Sequence, residues 1–375
     1  MSRRVALLAA VTLFAVAAAA DAQQRGPRNP GDTLKSPVIG DNGRVTFQLY
    51  APKASEVTLR TEGPAPFADQ KLVRNEQGVW RLTQTVPADL YIYWYDVDGV
   101  PVADPKNNRP RVNMSTMRSL LEVPGAASEF FAARDVAHGA VSSQWYHSAA
   151  LGLRRMQVYT PPGYATSGAR YPVFYLLHGA GDNDEAWLMA GRANFILDNL
   201  IAAGKAKPMI VVMPAGHTPR PGGLFGPSGV RDPFLDDFSR DVVPYVEKNF
   251  RVLPGRANRA IAGLSMGGNH TLAIALSHLD QFDYVGVFSS GFLGQGGPDS
   301  VAAQYRAALS DPRINRLKLF WLATGKDDFI LPATKGTLAI LDRNKVEYTY
   351  KETDGGHTWP NWRAYLNEFA PKLFR

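Results

Sequence analysis

No cysteine occurs among the 375 residues, which excludes disulfides, thiolate catalysis and cysteine-ligated zinc together. Any nucleophile must therefore be an oxygen, a nitrogen or a metal-bound water. Runs of like charge are also missing. The formal charge is +7, yet Lys and Arg are scattered, and "LGLRRMQV" and "INRLKLF" carry only isolated pairs. A basic arm or groove of the kind that reads nucleic acid is not present, and no nucleic-acid partner is expected. Internal repeats and low-complexity tracts are absent beyond the first residues. A hydrophobic fraction of 45% and a charged fraction of 20% describe an ordinary globular chain.

The one long apolar run lies at the N-terminus. "MSRRVALLAAVTLFAVAAAADAQQ" sets two arginines before an apolar stretch from Val5 to Ala20 and closes on Ala-Asp-Ala. The stretch falls short of the ~20 residues of a spanning helix, and its flanks are those of a secretory signal peptide. Residues 1–22 are expected to be removed on export to the periplasm or beyond, with no stable membrane anchor left. Residues 23–37, polar and rich in Pro and Gly, read as a flexible lead-in.

Two textures follow. From 38 to 125 the pattern is short alternating strands. "RVTFQLYAP" sets Val45, Phe47 and Leu49 on one face, "SEVTLRT" does so with Val57 and Leu59, and "LYIYWYDVDG" ends in an Asp-Gly turn. Strands at this spacing with no helix between them predict a small all-β sandwich. A linker is expected at 126–140. From 141 to 375 strands alternate with helices. "VFYLL", "MIVVMP", "RAIAGL", "YVGVF" and "RLKLFWLATG" are continuous apolar runs, as strands buried on both faces require. That alternation predicts an α/β fold with a mostly parallel central sheet. Pro244 inside "FLDDFSRDVVPYVEKNF" predicts a kink or break in its helix.

"GLSMGG" places Ser265 where the strand "RAIAG" meets a helix, the context of a nucleophile elbow. Gly263 and Gly267 leave room in the turn, and the helix N-terminus favours a developing oxyanion. Ser265 still needs a base. His357, in the loop "TDGGHTWPNW" behind two glycines, is the candidate, with His217 as rival. The orienting acid is expected at the end of the preceding strand, where Asp327 and Asp328 are both available, in the chain order Ser…Asp…His. The Met266 N–H, after the nucleophile, supplies one oxyanion donor. The His178-Gly179-Ala180-Gly181 turn resembles the His-Gly turn of esterases and lipases, which implies the Ala180 N–H as the second donor and His178 as a residue that shapes the turn. Phe225, Phe329 and Trp359 could stack on an aromatic acyl group. No metal or cofactor is expected. The loops at 216–233 and about 290–315 are expected to border the acyl pocket.

"LLHGAGDNDEAW", "DVVPYVEKNFR", "GLSMGG", "GKDDF" and "GGHTWPNWRAYLNEFAP", in this order over 141–375, together resemble carbohydrate esterase family 1, the esterase D-like branch of the α/β-hydrolases. The resemblance implies a serine carboxylesterase on feruloyl or acetyl esters of plant cell-wall polysaccharide. Its Gly-x-x-Asp-Phe pattern falls on Gly325–Phe329 and implies Asp328 as the acid. The first region is similar to immunoglobulin-like modules of glycogen-binding type (carbohydrate-binding module family 48). Tyr91, Tyr93 and Trp94 could be core or sugar platform. An enterochelin-type siderophore esterase also joins a β-module to this fold. Acyl transfer, and a carbohydrate-binding protein with an inactive hydrolase domain, are the further alternatives.

Overall fold

The computed structural model describes residues 29–63, 65–219, 231–294 and 296–375. Residues 1–22, expected as a signal peptide, the first part of the lead-in, and residues 220–230 of the 216–233 loop, Phe225 among them, lie outside the described residues.

The N-terminal strands are β1 (Val38–Ile39), β2 (Arg44–Tyr50), β3 (Val57–Thr61), β4 (Gln70–Lys71) and β5 (Val73–Arg74). They continue with β6 (Val79–Thr85), β7 (Asp89–Val97), β8 (Val100–Val102), β9 (Pro110–Val112) and β10 (Met117–Val123). One sheet runs β1-β2-β6-β5 and the other β4-β3-β7-β10-β9, with β8 paired to β7; all pairings are antiparallel. Alternation works as the sequence implies. Val45, Phe47 and Leu49 of one sheet meet Val57, Leu59, Tyr93 and Tyr95 of the other in a single buried core. Asp98 and Gly99 carry φ of 50° and 85° between β7 and β8, the left-handed pair a two-residue hairpin requires. Tyr93 is fully buried, which makes it core, and the Arg118 guanidinium covers the Trp94 ring at 4.0 Å.

Residues 29–37, expected as flexible lead-in, are tied down. The Ser36 hydroxyl donates to Asp104 at 2.6 Å and pairs with the Tyr95 hydroxyl at 2.9 Å, both inside the sandwich. A buried carboxylate needs such partners, and the chain supplies one from its own leading segment.

The second part carries β11 (Ala140–Ser148), β12 (Gly152–Thr160), β13 (Val173–Leu177), β14 (Ile210–Pro214), β15 (Arg259–Leu264), β16 (Tyr284–Phe288), β17 (Leu319–Gly325) and β18 (Thr349–Thr353). They form one sheet in the order β11-β12-β14-β13-β15-β16-β17-β18. Its first two pairings are antiparallel and the other five parallel. The edge strand β11 begins at Ala140, the last residue of the expected linker, and Ala126–Phe131 at the linker's start form a short 3₁₀ helix. Helices cover both faces. Leu272, Ile274 and Leu276 with Leu338, Ile340 and Leu341 pack one face, and Ile196, Leu197 and Leu200 with Leu366 and Phe369 the other. The break at Pro244 is a π-helical turn over Phe238–Val242 that leads into the helix Val243–Asn249. A widened turn accommodates a proline that lacks the donor and crowds the preceding turn.

The two parts share apolar core. Leu90, Ile92 and Leu120 of the sandwich belong to the same buried cluster as Phe131, Trp359 and Trp362. Arg363, fully buried, pairs with Asp89, donates to the Ala190 carbonyl at 2.8 Å and lies 4.7 Å from the Phe131 ring. Two nitrogens of this desolvated cation on the helix Trp359–Phe369 find partners, one of them across the junction, which ties the helix to β7. Among the described residues no helix is long and apolar enough to cross a membrane.

Candidate active site

Ser265 sits between β15 and the helix Met266–Ser277, with φ 51° and ψ −117°. A non-glycine residue holds that backbone only where its surroundings enforce it. Here they do. The Ser265 N–H donates to the Phe288 carbonyl at 2.9 Å, and the Ser290 hydroxyl donates to the Ser265 carbonyl at 2.6 Å. The flanking glycines are demanded by contact. A Cβ on Gly263 would stand 2.4 Å from the Gly267 carbonyl, and one on Gly267 would stand 2.5 Å from the His178 carbonyl oxygen. Strand, turn and helix therefore close only around small residues, and the turn lifts Ser265 to the C-terminal edge of the sheet.

His357 reaches that edge from the loop after β18. Its Nδ1 lies 3.0 and 3.1 Å from the two carboxylate oxygens of Asp328, which also accepts the Ile330 N–H at 2.9 Å. Burial pushes the Asp328 carboxyl up, but the bonds from His357 and Ile330 more than offset this and hold it below its ordinary value. Asp328 is therefore the ionised partner of the imidazole. Asp327 is exposed, and its N–H donates to the Gly355 carbonyl at 3.0 Å. The two adjacent aspartates thus separate by side-chain direction, which spacing alone could not do.

A cleft of about 290 Å³ is bordered by Ser265, His357, Ala180 and Trp362. Met266 opens the helix behind the serine, so its N–H belongs to the helix N-terminus. The Ala180 turn is braced from within. Nδ1 of His178 donates to the Gly179 carbonyl and Nε2 accepts the Gly216 N–H, each at 2.8 Å. Both ring nitrogens are thereby committed to backbone, and burial holds the imidazole neutral, its pKa pushed down to about 4. His217, the rival base, accepts the Gly181 N–H at 3.0 Å, so it too serves the turn. His270 pairs with Asp232 at 3.1 Å.

The aromatic candidates divide. Phe329 is 71% exposed, with its ring 4.5 Å from that of His357 at the rim. Trp359 is 4% exposed and packs edge-on against Trp187 and Trp362, so it is a core residue with no face for a ligand. Trp362, one helical turn on, takes the place at the cleft, with its ring 5.0 Å from that of His357. None of the described residues of the 290–315 stretch lines the cleft; its helix Gly297–Ala303 packs on the helix Leu331–Arg343. Nothing in composition pointed to three further lining residues, Glu62, Arg111 and Asn113, which come from the N-terminal sandwich. Arg111 is buried and joins Glu62 to Asp182, and burial pushes the Asp182 carboxyl up to about 6. Contacts between the sandwich and the loop after β13 bring these residues to the site, and no local motif records them. Among the described residues no three His, Asp or Glu side chains group as metal ligands would.

A mixed sheet of this order, with a serine in a positive-φ turn and a His–Asp pair on the same cleft, defines an α/β-hydrolase of the esterase type. The chain belongs to the Esterase family, whose profile matches residues 148–373. An endo-1,4-beta-xylanase/feruloyl esterase from Xylanibacter ruminicola is 34% identical over 350 residues, which is 90% of this chain and 46% of that protein. The chain thus spans less than half the length of that relative. The structure of a ferulic acid esterase from Anaeromyces mucronatus, 25% identical, aligns over 68% of this chain and 98% of its own with a TM-score of 0.55. An enterochelin esterase from Shigella flexneri, 17% identical, aligns over 94% of this chain and 98% of its own with a TM-score of 0.67, a likeness of fold.

Proposed function

We propose that this chain is an exported serine carboxylesterase that cleaves feruloyl or acetyl esters on plant cell-wall polysaccharide. One observation carries the proposal: His357 is held by Asp328 on the cleft that Ser265 borders. In this reading Ser265 Oγ attacks the ester carbonyl while Nε2 of His357 takes its proton. Asp328 keeps Nδ1 protonated and stabilises the imidazolium. The Met266 and Ala180 N–H groups receive the negative charge that develops on the carbonyl oxygen. As the tetrahedral adduct collapses and the acyl–oxygen bond breaks, His357 returns the proton to the leaving sugar oxygen, which departs as a hydroxyl. A water activated by the same imidazole releases the acid and restores Ser265.

The xylanase/feruloyl esterase relative supports the polysaccharide substrate, and the N-terminal leader supports export. The β-sandwich is read as an immunoglobulin-like module similar to those that bind glycogen-type polymers, here built into the catalytic body. A siderophore esterase is the second reading, favoured by the fold match that runs through both parts of the chain. The test is turnover of p-nitrophenyl acetate, methyl ferulate, acetylated xylan and a catecholate trilactone by the wild type and Ser265→Ala. Loss of p-nitrophenol release in the variant and turnover of ferulate or xylan esters are expected. Equal rates in the two proteins would sink the esterase mechanism, and turnover of the trilactone alone would favour the second reading.

A further inference from the structure

The oxyanion turn lies between two sets of restraints, and only one comes from the catalytic part. From inside, His178 and His217 bond Gly179, Gly181 and Gly216. From outside, four consecutive residues at the start of the β9–β10 hairpin reach across. Arg111 pairs with Asp182, the Val112 carbonyl accepts the Asn183 side-chain amide at 3.0 Å, and the Met114 N–H donates to the Gly181 carbonyl at 3.1 Å. Asn113 borders the cleft itself. Arg111 is 3% exposed, and its second nitrogen donates to Glu62 of the sandwich at 2.7 Å, which anchors the guanidinium on its own side. Asp182 in turn closes the turn through its N–H to the Gly179 carbonyl at 3.3 Å. Every tie from the β9–β10 hairpin to the turn therefore lands within three residues of Ala180.

We propose that Arg111, carried by the N-terminal β-sandwich, is a positioning residue for the oxyanion turn: by bridging Glu62 and Asp182 it sets where the Ala180 N–H points. The inference rests on the esterase reading given above, since it acts through the donor assigned there. A planar, two-pronged cation suits the task, because it fixes distance and angle at once where lysine would fix only charge. The sandwich is then part of the catalytic geometry, whatever polymer it does or does not bind. Misplacement of a donor by about 1 Å costs roughly a hundredfold in rate.

Steady-state kinetics on p-nitrophenyl acetate at 25 °C with full-length Arg111→Gln, Arg111→Lys, Asp182→Asn and the Arg111→Gln/Asp182→Asn pair test this, with Ser265→Ala alongside. The expected result is a kcat lowered roughly tenfold to a hundredfold in Arg111→Gln with KM within about threefold, since the donor acts on the transition state. Asp182→Asn should lose a similar factor, the double variant little more than either, and Arg111→Lys should recover part. Thermal melting taken in parallel confirms that each variant is folded at the assay temperature. Should Arg111→Gln not fold, Asp182→Asn carries the same test. A wild-type kcat in the folded Arg111→Gln and Asp182→Asn variants overturns the inference, as does a loss carried wholly by KM. If Ser265→Ala keeps the wild-type rate, the esterase reading itself fails; if it is inactive while the Arg111 and Asp182 variants are unimpaired, only the positioning role fails.

Discussion

Nδ1 of His357 stands within 3.1 Å of both carboxylate oxygens of Asp328, while the neighbouring Asp327 is exposed and engages the loop through its backbone N–H. The two substitutions therefore separate cleanly. Asp328→Asn should lower kcat by roughly three to four orders of magnitude, as loss of the orienting acid does in other triads. Asp327→Asn should stay within a few-fold of the wild type. Ester hydrolysis by the two purified variants checks the assignment, and the reverse ranking would move the acid to Asp327.

The buried His178 makes stability depend on pH. Its pKa is near 4 in the folded protein against an ordinary 6.5, so between these values the unfolded chain binds more protons than the folded one. Stability then rises with pH across that window, is complete above 6.5, and is lost as the pH falls towards 4. The full effect is about 3 kcal/mol. Urea unfolding at pH 4.5 and 7 should show the wild type losing more stability on acidification than His178→Gln; equal losses would mean that His178 titrates normally.

Of the aromatic residues suggested as stacking platforms, Trp359 and Phe329 should behave oppositely. Trp359→Ala empties a core site between Trp187 and Trp362 and should cost about 3–5 kcal/mol of stability. Phe329→Ala, at an exposed rim, should leave melting nearly unchanged. Its effect should appear instead as a higher KM for methyl ferulate than for an acetyl ester. A shared kinetic defect without destabilisation in Trp359→Ala would return that ring to the site.

The elbow glycines carry a steric prediction. Gly267→Ala drives a methyl group into the His178 carbonyl and should destabilise by at least about 2 kcal/mol and abolish turnover. Melting and ester hydrolysis of Gly267→Ala measure both; a stable, active variant would show that the turn has slack it is not built to have.

Much of this was legible in the chain because it is local. Buried strands read as apolar runs, Val45, Phe47 and Leu49 read by alternation, and Ser265 and His357 stand in glycine-framed turns whose chemistry is written within a few residues. What spacing left open depends on side-chain direction or on distant pairing. Asp327 and Asp328 differ by one step of backbone, and Trp359 and Trp362 by one helical turn. Arg111 reaches Asp182 across 71 residues, from a strand of the sandwich to the loop after β13, which no window of sequence contains. Ser36, in a stretch with the composition of a loose segment, is fixed by a buried aspartate 68 residues on.

The central claim is that Ser265 is the nucleophile. The most direct measurement is intact-mass and peptide mapping after exposure to a p-nitrophenyl phosphonate, which traps an activated serine as a stable adduct. One equivalent of label on the peptide bearing Ser265 is expected, with matching loss of esterase activity, no label in Ser265→Ala and much slower labelling in His357→Ala. Label on another residue, or full esterase activity in a protein whose Ser265 is blocked, would contradict it.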